Sequence, residues 1–435
     1  MGKKVALHNL GCKVNAYELE AVEQLLTERG YEIVPFEPGA DFYIINTCTV
    51  TNIADRKSRQ MLHRAKKMNP EALVAAVGCY AQARGEELEK DPAIDLVIGN
   101  NRKREIPDIL EACLEERKKC MEVPDMARET EYEPLRISRT QEHTRAFLKV
   151  QDGCNQFCSY CIIPYTRGRV RSRNPEDVLR ETKRLAAAGC REIVLSGIHL
   201  SSYGADFQDG TGLLELIRLL HPVEGIARIR LGSLEPGIIT EKFAESLSCL
   251  PKVCPHFHLS LQSGCDRTLK RMNRRYTSGE YLEKCRILRN FFENPALTTD
   301  IITGFPGETE EDFQESRDFV EKVSFFETHV FPYSRREGTR AARMEEQIPE
   351  AVKKERSRRL LELNRIQKEK YLEAAVGQET EVLLEEKEDF QGRSAWAGYT
   401  REYRKVLVLS EKDLGNTLMR VRPGEVCRGE FLVCT

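Results

Sequence analysis

Residues 152–173 read DGCNQFCSYCIIPYTRGRVRSR, and three cysteines within them, Cys154, Cys158 and Cys161, decide what the centre of the chain is built to hold. They form a C-x3-C-x2-C arrangement directly after AFLKVQ, an apolar run of strand character. Three thiolates on one short loop can cap three irons of a cubane iron–sulfur cluster and leave the fourth iron open to an outside ligand. Electron transfer alone has no use for an open iron. Zinc is the alternative, with four ligands when structural and three plus water when catalytic. No fourth Cys or His lies beside this loop, and His256 and His258 come near only if a later strand brings them there.

From 144 to 339 the triplet sits in a regular alternation. Six strand-like runs (AFLKVQ, REIVLSG, ARIRLGS, HFHLSLQ, LTTDIITG, FFETHVFPYS) are separated by helical stretches, which predicts a parallel, partial β/α barrel. Such a barrel places its chemistry on the loops at the carboxyl ends of its strands.

Residues 1–120 also alternate strand-like and helical stretches, as a parallel α/β domain does. Cys12, Cys48 and Cys79 each follow the end of a strand-like run. Loops beyond the carboxyl ends of a parallel sheet share one edge, so these three should converge. Residues 121–143 are polar, aperiodic and carry two prolines, which reads as a linker. Residues 340–376 form a highly charged helical connector. Residues 377–435 turn to short strands between turn signals, which suggests a small β-barrel of the kind that binds oligonucleotides. The predicted class is therefore α/β, with three folded parts.

The composition narrows the setting. Of 435 residues, 40% are hydrophobic and 31% charged, with a net charge of −2, which excludes a mainly disordered chain and a global basic field. Nucleic-acid contact would need local clusters. No apolar run is long enough for a membrane span and the first residues do not fit a signal peptide, so a cytoplasmic chain without a membrane partner is expected. Fifteen cysteines in a reducing compartment point to metal or catalysis rather than disulfides.

With these residues in place the chain resembles the radical S-adenosylmethionine (SAM) methylthiotransferases. The resemblance covers essentially the whole length: LGCKVN, NTCTV, GCYAQ, CSYCIIPYTRGRVRSR, LSLQSGCD, KRMNRRYT, DIITGFPGET, FPYSRREGT, and a C-terminal module in the place of the family's TRAM domain. LGCKVNAYE and HFHLSLQSG look most like the bacterial branch that modifies N6-threonylcarbamoyladenosine in tRNA, whereas the isopentenyladenosine branch more often opens GCQMN-like.

The resemblance implies two [4Fe–4S] clusters, one on Cys154, Cys158 and Cys161 that binds SAM, and an auxiliary one on Cys12, Cys48 and Cys79. It places Tyr160 near the cofactor's adenine and makes Gln262, Gly304 and Phe331 cofactor-lining positions. The Gly-Gly-Glu motif common in radical enzymes is replaced by Ser196-Gly197-Ile198, which leaves the contact to the methionine amino group unassigned, and Cys265 stands where the family has serine. The implied reaction transfers a methylthio group to C2 of the modified adenosine 3′ of the anticodon. A C2–H bond is not acidic, so a radical rather than a base must activate it.

Implied partners are tRNA, a flavodoxin- or ferredoxin-type electron donor and a sulfur source. Arg167, Arg169, Arg171 and Arg173, beyond the triplet, are read as phosphate contacts, as are the basic residues from Arg267 to Arg275 with Tyr276 as a stacking surface. Internal ion pairs are the competing reading for both clusters. Rival functions are methylthiolation of isopentenyladenosine or of a ribosomal-protein side chain and, more distantly, a non-enzymatic iron–sulfur RNA-binding or electron-transfer protein.

Overall fold

The computed structural model describes residues 3–116, 118–138 and 144–434. The first domain runs β1 (Lys4–Asn9), α1 (Lys13–Glu28), β2 (Glu32–Val34), β3 (Phe42–Thr47), α2 (Asn52–Met68), β4 (Leu73–Gly78), α3 (Cys79–Glu89), β5 (Leu96–Ile98), α4 (Ile106–Glu116) and β6 (Cys120–Glu122). Its strands form one parallel sheet in the order β2-β1-β3-β4-β5-β6. Both faces are covered. Ala6, Tyr43, Ile45, Val74 and Ala76 pack on one side, and Val5, Phe42, Ile44, Ala75 and Val77 on the other. This explains why the strands read as unbroken apolar runs. The direction of winding reverses between β1 and β3, which is where such sheets bind ligands.

The segment expected to be a linker is packed instead. Its first residues belong to β6, Met126, Leu135 and Ile137 are buried, and the Tyr17 hydroxyl donates to the Leu135 carbonyl at 2.8 Å. Its few apolar residues follow no period, so nothing in the pattern announces burial. Its last five residues, 139–143, lie outside the described residues.

The second part runs β7 (Arg145–Asp152), α5 (Ile163–Thr166), β8 (Arg171–Ser172), α6 (Pro175–Ala187), β9 (Glu192–Gly197), α7 (Leu213–Leu220), β10 (Arg228–Leu231), α8 (Glu241–Ser248), β11 (His256–His258), α9 (Asp266–Arg271), α10 (Ser278–Phe291), β12 (Ala296–Thr303), α11 (Glu310–Val323) and β13 (Glu327–Pro332). Strands β7, β9 and β10 pair in parallel, as do β11, β12 and β13. Parallel bridges Ile229–Val253 and Leu234–Leu259 join the two groups into one curved wall. All six expected strands are present.

Period-two alternation sets the two faces of this wall. Leu148, Val150, Ile193, Leu195, Ile229, Leu231, Phe257, Leu297 and Ile301 pack outward against the helices. The alternate residues, including Lys149, Glu192, Arg228, Arg230, His258 and Asp300, therefore face the concave side, and that side is polar.

Helix α12 (Glu350–Glu373) crosses the carboxyl end of β12 and leads to β14 (Thr380–Phe390), β15 (Arg393–Thr400), β16 (Lys405–Leu409), β17 (Leu418–Val421), β18 (Glu425–Cys427) and β19 (Phe431–Cys434). These make a six-stranded sheet, ordered β17-β14-β15-β16-β19-β18, around Val382, Leu384, Trp396, Val406 and Leu432. The β15–β16 turn reaches the floor of the half-barrel. Tyr403 packs on His256 at 4.9 Å, and the Arg230 guanidinium lies 4.6 Å over the Tyr403 ring.

Candidate active site

The loop carrying the first triplet is shaped by close backbone approach. Gly153 has φ +70°, and a Cβ there would lie 1.8 Å from the Arg169 carbonyl, so only glycine fits. The Cys154 amide donates to the Gly168 carbonyl at 3.0 Å, which closes the loop. Ser159 pins its middle, donating through its amide to the Met272 carbonyl and through its hydroxyl to the Arg271 carbonyl.

Burial pushes the Cys154 thiol up to about 11 and the Cys161 thiol to about 12, and a thiolate on Cys158 would raise both further. Thiols held neutral by desolvation become ligands only when a metal supplies the countercharge. Arg274, between Glu235 at 2.8 Å and the Cys158 sulfur at 3.2 Å, provides a fixed positive charge beside the triplet. His256 lies on the barrel floor against Tyr403 and His258 pairs with Asp300, so neither completes a zinc set with the triplet.

The second triad forms at the sheet's reversal point. Cys12 caps the N-terminus of α1, Cys48 follows β3 and Cys79 opens α3. A Cβ on Gly11 would fall 3.3 Å from the Cys48 Cβ, so the β1 and β3 loops touch. Charge on Cys79 is felt at both Cys12 and Cys48, and burial pushes Cys48 up to about 11. The expected convergence is present.

Behind the triad lies a buried charge network. Arg167, fully enclosed, donates Nε to the Cys79 sulfur at 3.2 Å, Nη2 to Asn15 at 2.8 Å, and Nη1 to Glu18 and Asp152 at 2.8 and 3.1 Å. Lys149 bonds both carboxylates, Lys103 lies 3.2 Å from Glu18, and Arg171 lies 3.8 Å from Asp152. The surrounding cations hold Glu18 and Asp152 well below the usual carboxylate range despite the burial. Four buried cations thus face Glu18, Asp152 and the buried Glu133, and Arg167 brings positive charge to the Cys79 sulfur. An anionic thiolate-ligated cluster fits that charge.

One loop links the two triads. Arg167 belongs to the same loop as Cys161, so the loop that carries the first triplet also supports the second. On the other side Arg336 donates to Thr49 and pairs with Asp55 at 2.8 Å, while Asn52 bonds Ser334 and Arg335. The first domain is thereby fastened over the barrel mouth. Val50, Ile53, Tyr165 and Phe331 remain exposed near these loops.

The expected roles of other residues divide. Tyr160 packs edge-on against Phe305 at 6.4 Å beside the triplet, and Gln262, at the carboxyl end of β11 with φ +70°, is nearly buried. Gly304 leaves room for α12 rather than for a ligand, since a Cβ there would lie 2.4 Å from the Lys353 Cγ.

The arginine series beyond the triplet corrects the phosphate reading. Arg167, Arg171 and Arg173 are buried. Arg171 donates to the Arg167 and Arg169 carbonyls, and Arg173 pairs with Glu181. The alternating spacing suggested a solvent-facing ridge, but α1 of the first domain and the packed segment before β7 cover it. Only Arg169 is exposed, stacked 4.6 Å over Phe157. In the later cluster Arg267 and Arg271 pair with Asp312 and Glu346, and Arg274 is enclosed, while Arg267, Lys270 and Arg275 are exposed. Sequence reasoning missed Arg167 and Arg274 as partners of the Cys79 and Cys158 sulfurs and Arg336 as the tie across the mouth. Their places inside the quoted motifs were the available signal.

Two family models match the chain, the Radical SAM superfamily over residues 148–320 and Uncharacterized protein family UPF0004 over residues 4–99. The chain is 42% identical over 419 residues to the threonylcarbamoyladenosine tRNA methylthiotransferase MtaB of Bacillus subtilis (strain 168), covering 96% of this chain and 93% of that one. It is 43% identical over 381 residues to the MtaB of Aquifex aeolicus (strain VF5), covering 88% and 92%. It is 38% identical over 423 residues to the tRNA-2-methylthio-N(6)-dimethylallyladenosine synthase of Moorella thermoacetica, covering 95% and 94%. Among solved structures, the radical SAM methyltransferase TsrM from Kitasatospora setae superposes with a TM-score of 0.57 at 16% identity, covering 76% of this chain and 73% of that one, a likeness of fold. No helix among the described residues is long and apolar enough to cross a membrane.

Proposed function

Because this chain belongs to the radical SAM tRNA methylthiotransferases, enzymes that use SAM and a [4Fe–4S] cluster, we propose that it acts on N6-threonylcarbamoyladenosine 3′ of the anticodon, adding a methylthio group at C2. In this reading Cys154, Cys158 and Cys161 hold the SAM-binding cluster, and Cys12, Cys48 and Cys79 hold a second [4Fe–4S] cluster. When bound, the first cluster would pass an electron from the reductant into SAM, giving methionine and a 5′-deoxyadenosyl radical that takes the C2 hydrogen, and the second would hold a sulfur that takes its methyl group from a second SAM and goes to that carbon.

The protein's own share is positioning. Arg274 donates an N–H to the Cys158 sulfur of the first triad, and Arg167 donates one to the Cys79 sulfur of the second. Tyr160 and Gln262 border the cofactor, exposed Phe331 faces the incoming base, and Gly304 keeps α12 seated against the strand end. Fastening of the first domain by Arg336 holds the two triads at one spacing and limits water at the radical.

The observation that carries this reading is the pair of thiol triads joined through Arg167. The choice of base rests on the two MtaB relatives, more similar than the dimethylallyladenosine synthases. The reductant is of flavodoxin or ferredoxin type, a sulfur source is required, and the setting is the cytoplasm. Anticodon stem-loops bearing threonylcarbamoyl- or isopentenyl-adenosine, incubated with anaerobically reconstituted enzyme, distinguish the branches by nucleoside mass spectrometry. Conversion of the threonylcarbamoylated RNA is expected, and conversion of the isopentenylated RNA alone overturns the substrate assignment.

A further inference from the structure

His258 on β11, Asp300 on β12 and His329 on β13 stand on three neighbouring strands, all on the concave face. Their sequence neighbours Phe257, Ile301 and Val330 pack the other way, into the helical layer. The His258 Nδ1 is 3.0 Å from the Thr298 hydroxyl, which turns Nε2 toward Asp300 Oδ2 at 3.3 Å. That Nε2 is buried and makes no hydrogen bond. The His329 ring stacks on His258 with centroids 5.8 Å apart, and its own edge is exposed to the cavity. One ligand atom from each residue lies within 4.8 Å of the other two.

We infer that this trio is a divalent-cation site inside the barrel, separate from both thiol triads, and that its free coordination positions take an oxygen of the substrate. If Nδ1 donates to Thr298, the bare Nε2 lone pair abuts a carboxylate, an arrangement that is repulsive until a cation sits between them. Imidazole and carboxylate ligands at about 2.1 Å from a first-row ion lie roughly 3 Å from each other, the spacing His258 and Asp300 already have. A side-chain rotation of His329 completes the set. Two imidazoles and one carboxylate leave positions open, the pattern of ions that bind a further ligand rather than ions that only brace a fold. Thr298 acts as the outer partner that holds the His258 ring with Nε2 toward Asp300.

The occupant of the open positions follows from the geometry of adenine and rests on the threonylcarbamoyladenosine reading. C2 and the N6 substituent point away from each other across N1. With C2 at the thiol triads, on the carboxyl ends of the strands, the N6 substituent is directed down the concave face toward these residues. A threonylcarbamoyl group brings a carboxylate and a urea carbonyl, both good ligands for a hard or borderline cation, whereas an isopentenyl group brings none. The site would therefore select for the acidic substituent.

The test uses reconstituted holoenzyme with oxidised clusters, which are silent in electron paramagnetic resonance, and Mn2+ as the probe. Wild type should bind one Mn2+ per chain. His258→Gln and Asp300→Asn should lose it while iron content stays unchanged, and His329→Gln, at an exposed position that folding does not need, should weaken it at least tenfold. Addition of the threonylcarbamoylated stem-loop should displace Mn2+-bound water, and the isopentenylated one should not. Mn2+ binding no tighter than in the variants overturns the site. Bound Mn2+ whose water is unaffected by the threonylcarbamoylated RNA overturns the substrate contact. Conversion of the same RNA by the same preparation is measured in parallel: conversion with unaffected Mn2+ means this inference fails and the substrate reading stands, whereas no conversion means the substrate reading itself fails.

Discussion

Arg167 has the most demanding position of any single residue. It has no exposed surface and joins Cys79, Asn15, Glu18 and Asp152. Removing one partner of such a network leaves buried charge unpaired, at a cost of about 3–5 kcal/mol. Arg167→Gln should lower unfolding stability by that amount in a denaturant titration, whereas Arg169→Ala, exposed two residues away, should change it by less than about 1 kcal/mol. The same network sets an acid limit. Glu18 and Asp152 have folded-state pKa values below their unfolded ones, so their contribution is complete above the unfolded values and is lost as pH falls through the folded ones. Thermal melts below about pH 4 should show a steep loss of stability that is shallower in Arg167→Gln.

At the scale of elements, the loop from β7 to β8 is where small changes should have large effects. Gly153→Ala would place a methyl against the Arg169 carbonyl, which is backbone and cannot rotate away. The expected result is a folded protein that loses the triplet's cluster, read as a fall from about eight irons to about four. Gly304→Ala, strained by φ +68° and by Lys353, should instead cost about 1–3 kcal/mol without loss of iron.

This loop also marks what could be read from the sequence. The strands and both cysteine triads were legible because each depends on local facts, period-two apolarity and the position just after a strand. The arginines were not. Whether Arg167, Arg171 and Arg173 meet water or carboxylates depends on α1 and on the packed segment before β7, which lie far away in sequence. The burial of Leu135 and Ile137 was hidden for the same reason, since single apolar residues in a polar stretch carry no period. The trio of His258, Asp300 and His329 becomes visible only when three strands are placed in register.

Taken as a whole, the molecule is an active-site mouth closed from above and a barrel floor closed from below. The first domain is tied over the mouth through Arg336, and the C-terminal sheet reaches the floor through Tyr403, Arg228 and Arg230. Tyr403→Ala removes a ring that packs on His256 and lies under Arg230, and should lower stability by about 1–3 kcal/mol with iron content unchanged. In the proposed function the upper closure serves chemistry, because the two thiol triads have different tasks there. The most direct test of that division is product analysis of the variant with Cys12, Cys48 and Cys79 all replaced by alanine, supplied with SAM, reductant and threonylcarbamoylated stem-loop. It should retain about four irons and release 5′-deoxyadenosine while forming no methylthiolated nucleoside. Methylthiolated product from that variant would contradict the account.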